Sequence, residues 1–291
     1  MSDPVLLFGI GATKAGTTWL YRYLAAHPDC ALRSIKELHF FDTLGDRKTR
    51  EFYLRDLDRK SEALERRIAL SDEDDQGDRI LRLANLRLYA RILKSQDEAA
   101  YLAYLEDERG EERIVGEITP AYSLLPAHRL AHMAQLRADV RFVYLMRDPV
   151  DRLWSHVRMI AERRSESDEA AAELARLILD RVLAGGEDHI AIRGDYRAAL
   201  EKLAEAVAPE RAFVCTCEDL FEGDALERLC AFLGIDYIPG DRRARVHQSI
   251  SADMRPDQKA RAVEFLRPQY EFVADRIGRL PPAWEANMAG V

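Results

Sequence analysis

Three short segments carry residues that could act on an anionic group. The first, Gly11-Ala12-Thr13-Lys14-Ala15-Gly16-Thr17-Thr18, keeps the two-glycine spacing of the triphosphate loop G-x-x-x-x-G-K-S/T, but has Thr17 where that motif requires lysine. Its lysine, Lys14, comes three residues earlier. Consecutive backbone N–H groups at a helix N-terminus would form an anion nest here, with the Thr17 and Thr18 hydroxyls as further donors. The second segment, Arg147-Asp148-Pro149-Val150-Asp151-Arg152-Leu153-Trp154-Ser155, sets an arginine eight residues before a serine. From a strand end and the second turn of the next helix, a guanidinium fork and a hydroxyl can converge on one anion. The third, Lys36-Glu37-Leu38-His39-Phe40-Phe41-Asp42, places a carboxyl and an imidazole two residues apart, on one side of an extended chain. Either group can take a proton from a nucleophile within hydrogen-bond reach.

The displaced lysine narrows the chemistry. In the triphosphate motif the final Ser/Thr holds Mg²⁺ and the lysine reaches the β and γ phosphates. A lone 5′-phosphate or phosphosulfate needs less, and Lys14 within the loop can face a bridging oxygen that gains charge as a group departs. No metal is expected. Each segment also has a plainer reading: a glycine turn without ligand, a surface pair of Arg147 and Asp148, and a buried His39 with a surface Glu37 beside a Phe40-Phe41 core pair.

Taken together, the segments resemble a known family. Lys14-Ala15-Gly16-Thr17-Thr18-Trp19 is similar to the 5′-phosphosulfate loop of sulfotransferases that depend on 3′-phosphoadenosine-5′-phosphosulfate (PAPS), and Arg147 with Ser155 resembles their 3′-phosphate motif. The likeness is closest to the glycosaminoglycan-type and bacterial enzymes, in which the Glu of an E-x-H-F-F segment is the general base. It implies catalytic roles for Lys14, Glu37 and His39, with Glu37 as base and His39 assisting; in cytosolic relatives a histidine alone serves. It implies donor contacts from Lys14, Ala15, Gly16, Thr17, Thr18, Arg147 and Ser155. Arg193-Gly194-Asp195-Tyr196 and Arg243-Ala244-Arg245-Val246-His247-Gln248-Ser249 look like the segments that close over the adenosine and 3′-phosphate, which adds Arg245 and His247. The Lys-Gly-Arg run usual in the second of these is absent. Gly116-Glu117-Ile118-Thr119-Pro120-Ala121-Tyr122 resembles a segment near the acceptor, where Glu117 would orient Lys14, bind the acceptor or form an ion pair. The implied reaction moves a sulfuryl group from PAPS, leaving PAP, to a hydroxyl or amine of a small-molecule, carbohydrate or lipid acceptor. Two alternatives are a phosphate-loop small-molecule kinase using ATP and Mg²⁺ and a non-catalytic PAP-binding module.

These segments need a scaffold of strands that deliver them to one edge. Residues 5–10, 31–34, 114–118, 141–146 and 212–217 read as strands, and residues 17–26, 169–183 and 224–233 as helices, the last two stopped by Gly185-Gly186 and Gly234. Alternation of this kind predicts an α/β fold with a mostly parallel central sheet flanked by helices. The resemblance makes it the sulfotransferase variant of the phosphate-loop NTPase fold. Residues 46–110 are charge-rich with apolar residues at helical spacing, such as Leu83, Leu86 and Ile92, and predict a helical insertion in one domain spanning residues 1–291.

Composition excludes several classes. Lys and Arg total 43 against 51 Asp and Glu, a net charge of −8, which disfavours nucleic acid as a partner. It also disfavours a long polyanionic glycan acceptor unless a local basic groove intervenes. Cys30, Cys215, Cys217 and Cys230 lack zinc-site spacing, and Asp72-Glu73-Asp74-Asp75 reads as a solvated loop rather than a metal site. No signal peptide or membrane-length apolar run is seen, so a cytoplasmic protein is expected, with peripheral membrane contact left open. Oligomeric state and acceptor identity are not written in these patterns.

Overall fold

The computed structural model describes residues 3–70, 76–241 and 250–289. Arg243, Arg245, His247 and Ser249, and the whole acidic run at 72–75, lie outside the described residues.

Strand β1 (Val5–Gly11) is apolar along its length because helices cover both faces of the sheet. The loop after it enters α1 (Thr17–Ala25), whose Thr17, Leu20 and Leu24 recur at helical spacing and are buried. Strand β2 (Cys30–Leu32) follows. It ends two residues short of the expected 31–34 run and releases the chain into the Lys36–Asp42 strip and the single turn α2 (Phe40–Thr43). Asp46 caps α3 (Arg47–Ala69) by accepting from the Thr49 backbone N–H. With α4 (Gln76–Ser95) and α5 (Glu98–Glu106), α3 forms the predicted helical insertion between β2 and β3.

Strand β3 (Ile114–Ile118) leads through a 3-10 turn, Pro120–Leu124, to α6 (Ala127–Met133). Strand β4 (Val140–Met146) turns into α7 (Pro149–Arg164) with Pro149 at the first helical position. Helix α8 (Asp168–Leu183) is capped by Ser167, and α9 (Asp188–Ala191) and α10 (Tyr196–Ala206) precede β5 (Ala212–Thr216). Cys217, expected to end the strand, instead opens α11 (Cys217–Glu222), because the Thr216 side chain caps that helix through the Asp219 N–H. Helix α12 (Ala225–Leu233) stops at Gly234 as its sequence predicts. Two C-terminal helices, α13 (Pro256–Ile277) and α14 (Pro282–Met288), complete the chain.

The five strands are all parallel in the order β2-β3-β1-β4-β5. The chain leaves β1 toward β2 on one side and later passes to β4 and β5 on the other. A crevice therefore opens beyond the carboxyl ends of β1 and β4, where such sheets bind ligands. The sheet core is built from Leu7, Phe8, Phe142, Val143 and Leu145, all fully buried. Among the described residues no helix is long and apolar enough to cross a membrane.

Candidate active site

Strand register brings the two anion-binding segments together. Gly11 pairs with Tyr144, so the loop leaving β1 lies beside Arg147, which follows the last residue of β4. The Ala12 N–H donates to the Leu145 carbonyl at 2.6 Å and fixes the start of the loop against β4. Gly16 ends the loop at φ 87°, a left-handed conformation that favours glycine, and caps α1 without any side-chain cap. The first-turn N–H groups of α1 are thus left for an anion. Ala15 and Thr17 are buried in the nest and Thr18 is half-buried.

Lys14 is surrounded by positive charge. Burial pushes its ammonium below the ordinary lysine value, and Arg147, Arg158 and Arg163 push the same way against the opposing pull of Glu162. Ser155 lies two turns into α7 and is buried. Arg152, Ser155 and His156 share one face of α7 at i, i+3 and i+4. Arg152 is fully buried with an unpartnered Nη1, and His156 is buried with an unpartnered Nδ1, its pKa lowered to about 2 by burial and by Arg152, Arg193 and Lys14. Arg152 and His156 were not singled out in the sequence, although the i, i+4 spacing around Ser155 could have flagged them.

The segment 193–196 joins this site from the other side. Arg193 Nη1 lies 3.5 Å from Thr13 Oγ1 of the loop. Tyr196 donates to the Arg147 carbonyl at 2.5 Å and accepts from its N–H at 3.2 Å. Gly194 passes so close to Arg152 that a Cβ there would stand 2.4 Å from its Nη2. Helix α13 holds the turn from behind: Tyr270 donates to Asp148 at 2.8 Å, and Gln269 accepts from the Tyr196 N–H at 2.9 Å.

The acid–base strip is not extended. Glu37 and His39 have φ of 62° and 56°, and Phe40 opens α2, so the simple alternation expected of an extended strip does not apply. The chain turns because the flanking backbone is held from below. Leu38 donates to Glu117 at 3.1 Å, Phe40 donates to the Tyr122 hydroxyl at 3.0 Å, and Tyr89 donates to the Leu38 carbonyl at 2.5 Å. The turn still brings Glu37 Oε2 to 3.9 Å from His39 Nε2. His39 Nδ1 lies 2.7 Å from Asp42 Oδ2, and its ring stacks on Tyr53 at 3.7 Å. Asp42 was not singled out in the sequence; its i+3 position relative to His39 is the signal that could have found it. Burial raises the Glu37 carboxyl pKa, but its Lys36 partner, His39 and Lys60 outweigh that and hold it below the ordinary carboxylate range.

Glu117 neither reaches Lys14 nor forms an ion pair among the described residues. It is fully buried and accepts from the Thr119, Tyr101 and Tyr122 hydroxyls at 2.5, 2.5 and 2.7 Å as well as from Leu38. Burial raises its pKa against the lowering effect of those donors. Its visible work is to hold the strip in place. Five described non-glycine residues have positive φ, and three of them are Lys14, Glu37 and His39. Such backbone conformations concentrate at functional sites, where surrounding structure over-determines them.

Comparison with known proteins bears on the family and the fold. A crystal structure of a sulfotransferase from Alicyclobacillus acidocaldarius superposes with a TM-score of 0.61 at 25% identity, covering 98% of this chain and 100% of that one. A sulfotransferase domain from the Synechococcus PCC 7002 olefin synthase gives 0.49 at 20% identity over 91% and 96% of the two chains. A sulfotransferase domain from the curacin biosynthetic pathway gives 0.48 at 19% over 87% and 85%. The last two likenesses are too loose to carry weight. No curated protein sequence matches the chain. Residues 4–239 match the sulfotransferase family, a span that holds the loop, the strip and the β4–α7 turn, and the chain belongs to that family.

Proposed function

We propose that the chain transfers a sulfuryl group from PAPS to an acceptor hydroxyl or amine, and that it does so as one domain in the cytoplasm. The observation that carries this reading is the β1–β4 register, which sets the Lys14 loop beside Arg147. One crevice thereby receives two anion-binding segments, as a donor phosphorylated at both its 5′ and 3′ positions requires. The buried Ser155, the unpartnered Arg152 Nη1, the uncapped start of α1 and the cluster of Lys14, Arg147 and Arg158 fit such a polyanion. Lys14, Gly16, Thr17 and Thr18 would hold the 5′-phosphosulfate, and Arg147 and Ser155 the 3′-phosphate. When bound, PAPS supplies a sulfuryl group on a good phosphate leaving group.

The acceptor oxygen or nitrogen must lose a proton as it attacks sulfur. Asp42 favours His39 as the group that takes it: a carboxylate on Nδ1 holds the proton there and leaves the Nε2 lone pair free. Glu37 lies next to Nε2 and stabilises the imidazolium that forms. Lys14 and the loop N–H groups stabilise the charge that develops on the departing phosphate oxygen, a preorganised electrostatic role.

Calorimetric titration with PAP, and separately with ATP and Mg²⁺, tests the donor. We expect PAP binding that weakens at least about tenfold in Arg147→Ala, the loss of a forked charge-assisted contact, and little ATP binding. A folded protein that binds ATP with Mg²⁺ and ignores PAP would overturn the assignment in favour of a kinase.

A further inference from the structure

We propose that the acceptor is a small alcohol with an apolar body, docked by that body in the cleft between α3 and the 3-10 turn after β3. The proposal rests on the sulfotransferase reading above and names the acceptor class for the same site. The cleft has a volume of about 660 Å³, within the roughly 300–1,000 Å³ of small-molecule sites. It adjoins both halves of the chemistry. Tyr53 and Asp42, two of its walls, are the groups that touch His39. Arg193, a third, reaches Thr13 of the phosphate loop. The inner end of the cleft therefore lies beside the residues that hold His39 on one side and beside a residue that reaches the donor loop on the other.

The walls further out are apolar. Phe52 and Tyr53 on α3 face Leu124, Leu125 and Pro126. Phe52 is 57% exposed and touches Tyr53 edge-on at 5.2 Å. A large aromatic ring left this open at the mouth of a reactive cleft offers stacking surface to an apolar guest. The charged groups do not add up to a polyanion groove. Two cations, Lys48 and Arg193, are balanced by two carboxylates, Asp42 and Asp46. Asp46 is engaged by the Thr49 N–H and hydroxyl, and Asp42 is engaged by His39 through Oδ2 while its Oδ1 is buried without a hydrogen-bond partner. An ammonium acceptor thus finds no exposed carboxylate that is not already engaged, and a sulfated or uronic glycan finds no excess of positive charge, on a chain whose net charge is −8. A neutral hydroxyl on an apolar body suits both the lining and the base.

The test is an acceptor panel with PAPS, reading sulfated product by mass spectrometry alongside PAP binding by calorimetry. The probes are 2-phenylethanol, 1-octanol, glucose, phenethylamine and a chondroitin hexasaccharide. The two alcohols should be sulfated with kcat/KM at least about tenfold above the other three, and Phe52→Ala should raise KM for 2-phenylethanol about tenfold, as expected for losing one aromatic contact surface, with PAP affinity unchanged. Preference for glucose, the amine or the hexasaccharide overturns the proposal, as does an unchanged KM in Phe52→Ala. PAP binding without sulfation of either alcohol also overturns it, and leaves the donor assignment standing. Loss of PAP binding itself would instead bring down the sulfotransferase reading on which it rests.

Discussion

His39 Nδ1 and Asp42 Oδ2 stand 2.7 Å apart, with the imidazole stacked on Tyr53 and its Nε2 turned toward Glu37. The pairing separates two roles that the sequence left merged. Glu37 is held by Lys36 and stays below the ordinary carboxylate range, which makes it a weak base. His39→Ala is expected to lower kcat by roughly 10²–10⁴-fold, the usual worth of a positioned general base. Asp42→Asn, which keeps a hydrogen-bond acceptor but removes the charge, should lower kcat by less than His39→Ala does. Glu37→Gln should fall between wild type and His39→Ala. A Glu37→Gln variant more impaired than His39→Ala would return the base to Glu37.

If Lys14 contacts the donor, donor binding should depend on pH. Its free-state pKa lies below the ordinary 10.5 because of burial and neighbouring arginines, and a bound anion, favouring the charged form, raises it again. Binding therefore takes up a proton once pH exceeds the free-state value, so affinity falls as pH rises through it. PAP titrations between pH 7 and 10 should show that fall beginning earlier than an ordinary lysine would allow. Lys14→Arg, whose charge persists across this range, should flatten the curve, and identical slopes in the two proteins would count against Lys14 as a donor contact.

Glu117 acts through the strip rather than on any reactant. Its two oxygens accept four donors, and through Leu38 and Tyr122 they fix the backbone on both sides of His39. In Glu117→Gln one oxygen becomes an amide that cannot accept, leaving buried hydroxyls short of a partner at a cost of about 1–3 kcal/mol. We expect lower stability in urea unfolding and a kcat reduced about tenfold or more, since a misplacement of one ångström costs on the order of 10² in rate. PAP affinity should be unchanged. Full kcat in the folded fraction would reduce Glu117 to a stability role.

The parts of the site that follow a local rule were legible in the sequence. Lys14, Gly16 and Arg147 sit where strand-to-helix turns put them, and apolar runs such as residues 5–10 and 141–146 mark the buried strands that deliver them. The strip's geometry was not legible, because the left-handed Glu37 and His39 are imposed by Glu117 and Tyr122, some 80 residues away. Arg193 reaches Thr13 across 180 residues, which no local period reveals. Helices α13 and α14 earned no notice in the sequence because Pro268 and interspersed charges blur their apolar stripe. Yet Tyr270 and Gln269 buttress the Arg147 turn.

That buttress has its own pH signature. Asp148 is fully buried, caps α7 through the Asp151 N–H at 2.9 Å and accepts from Tyr270. Burial raises its pKa to about 6 in spite of those donors, whereas the unfolded chain should titrate near the ordinary aspartate value of about 3.9. Between these values the folded protein binds more protons than the unfolded one, so this group's contribution to stability falls as pH rises from about 4 to about 6 and is flat outside that window. The full effect is about 3 kcal/mol at most, from roughly two pKa units at 1.36 kcal/mol each. Asp148→Asn cannot ionise, so its unfolding free energy relative to wild type should be highest at pH 7 and decline by up to that amount as pH is lowered to 4. Urea unfolding of both proteins at pH 7, 6, 5 and 4 measures the difference. Curves that stay parallel across the four points would mean that Asp148 titrates alike in the folded and unfolded chain, and that its buried carboxylate carries no such cost.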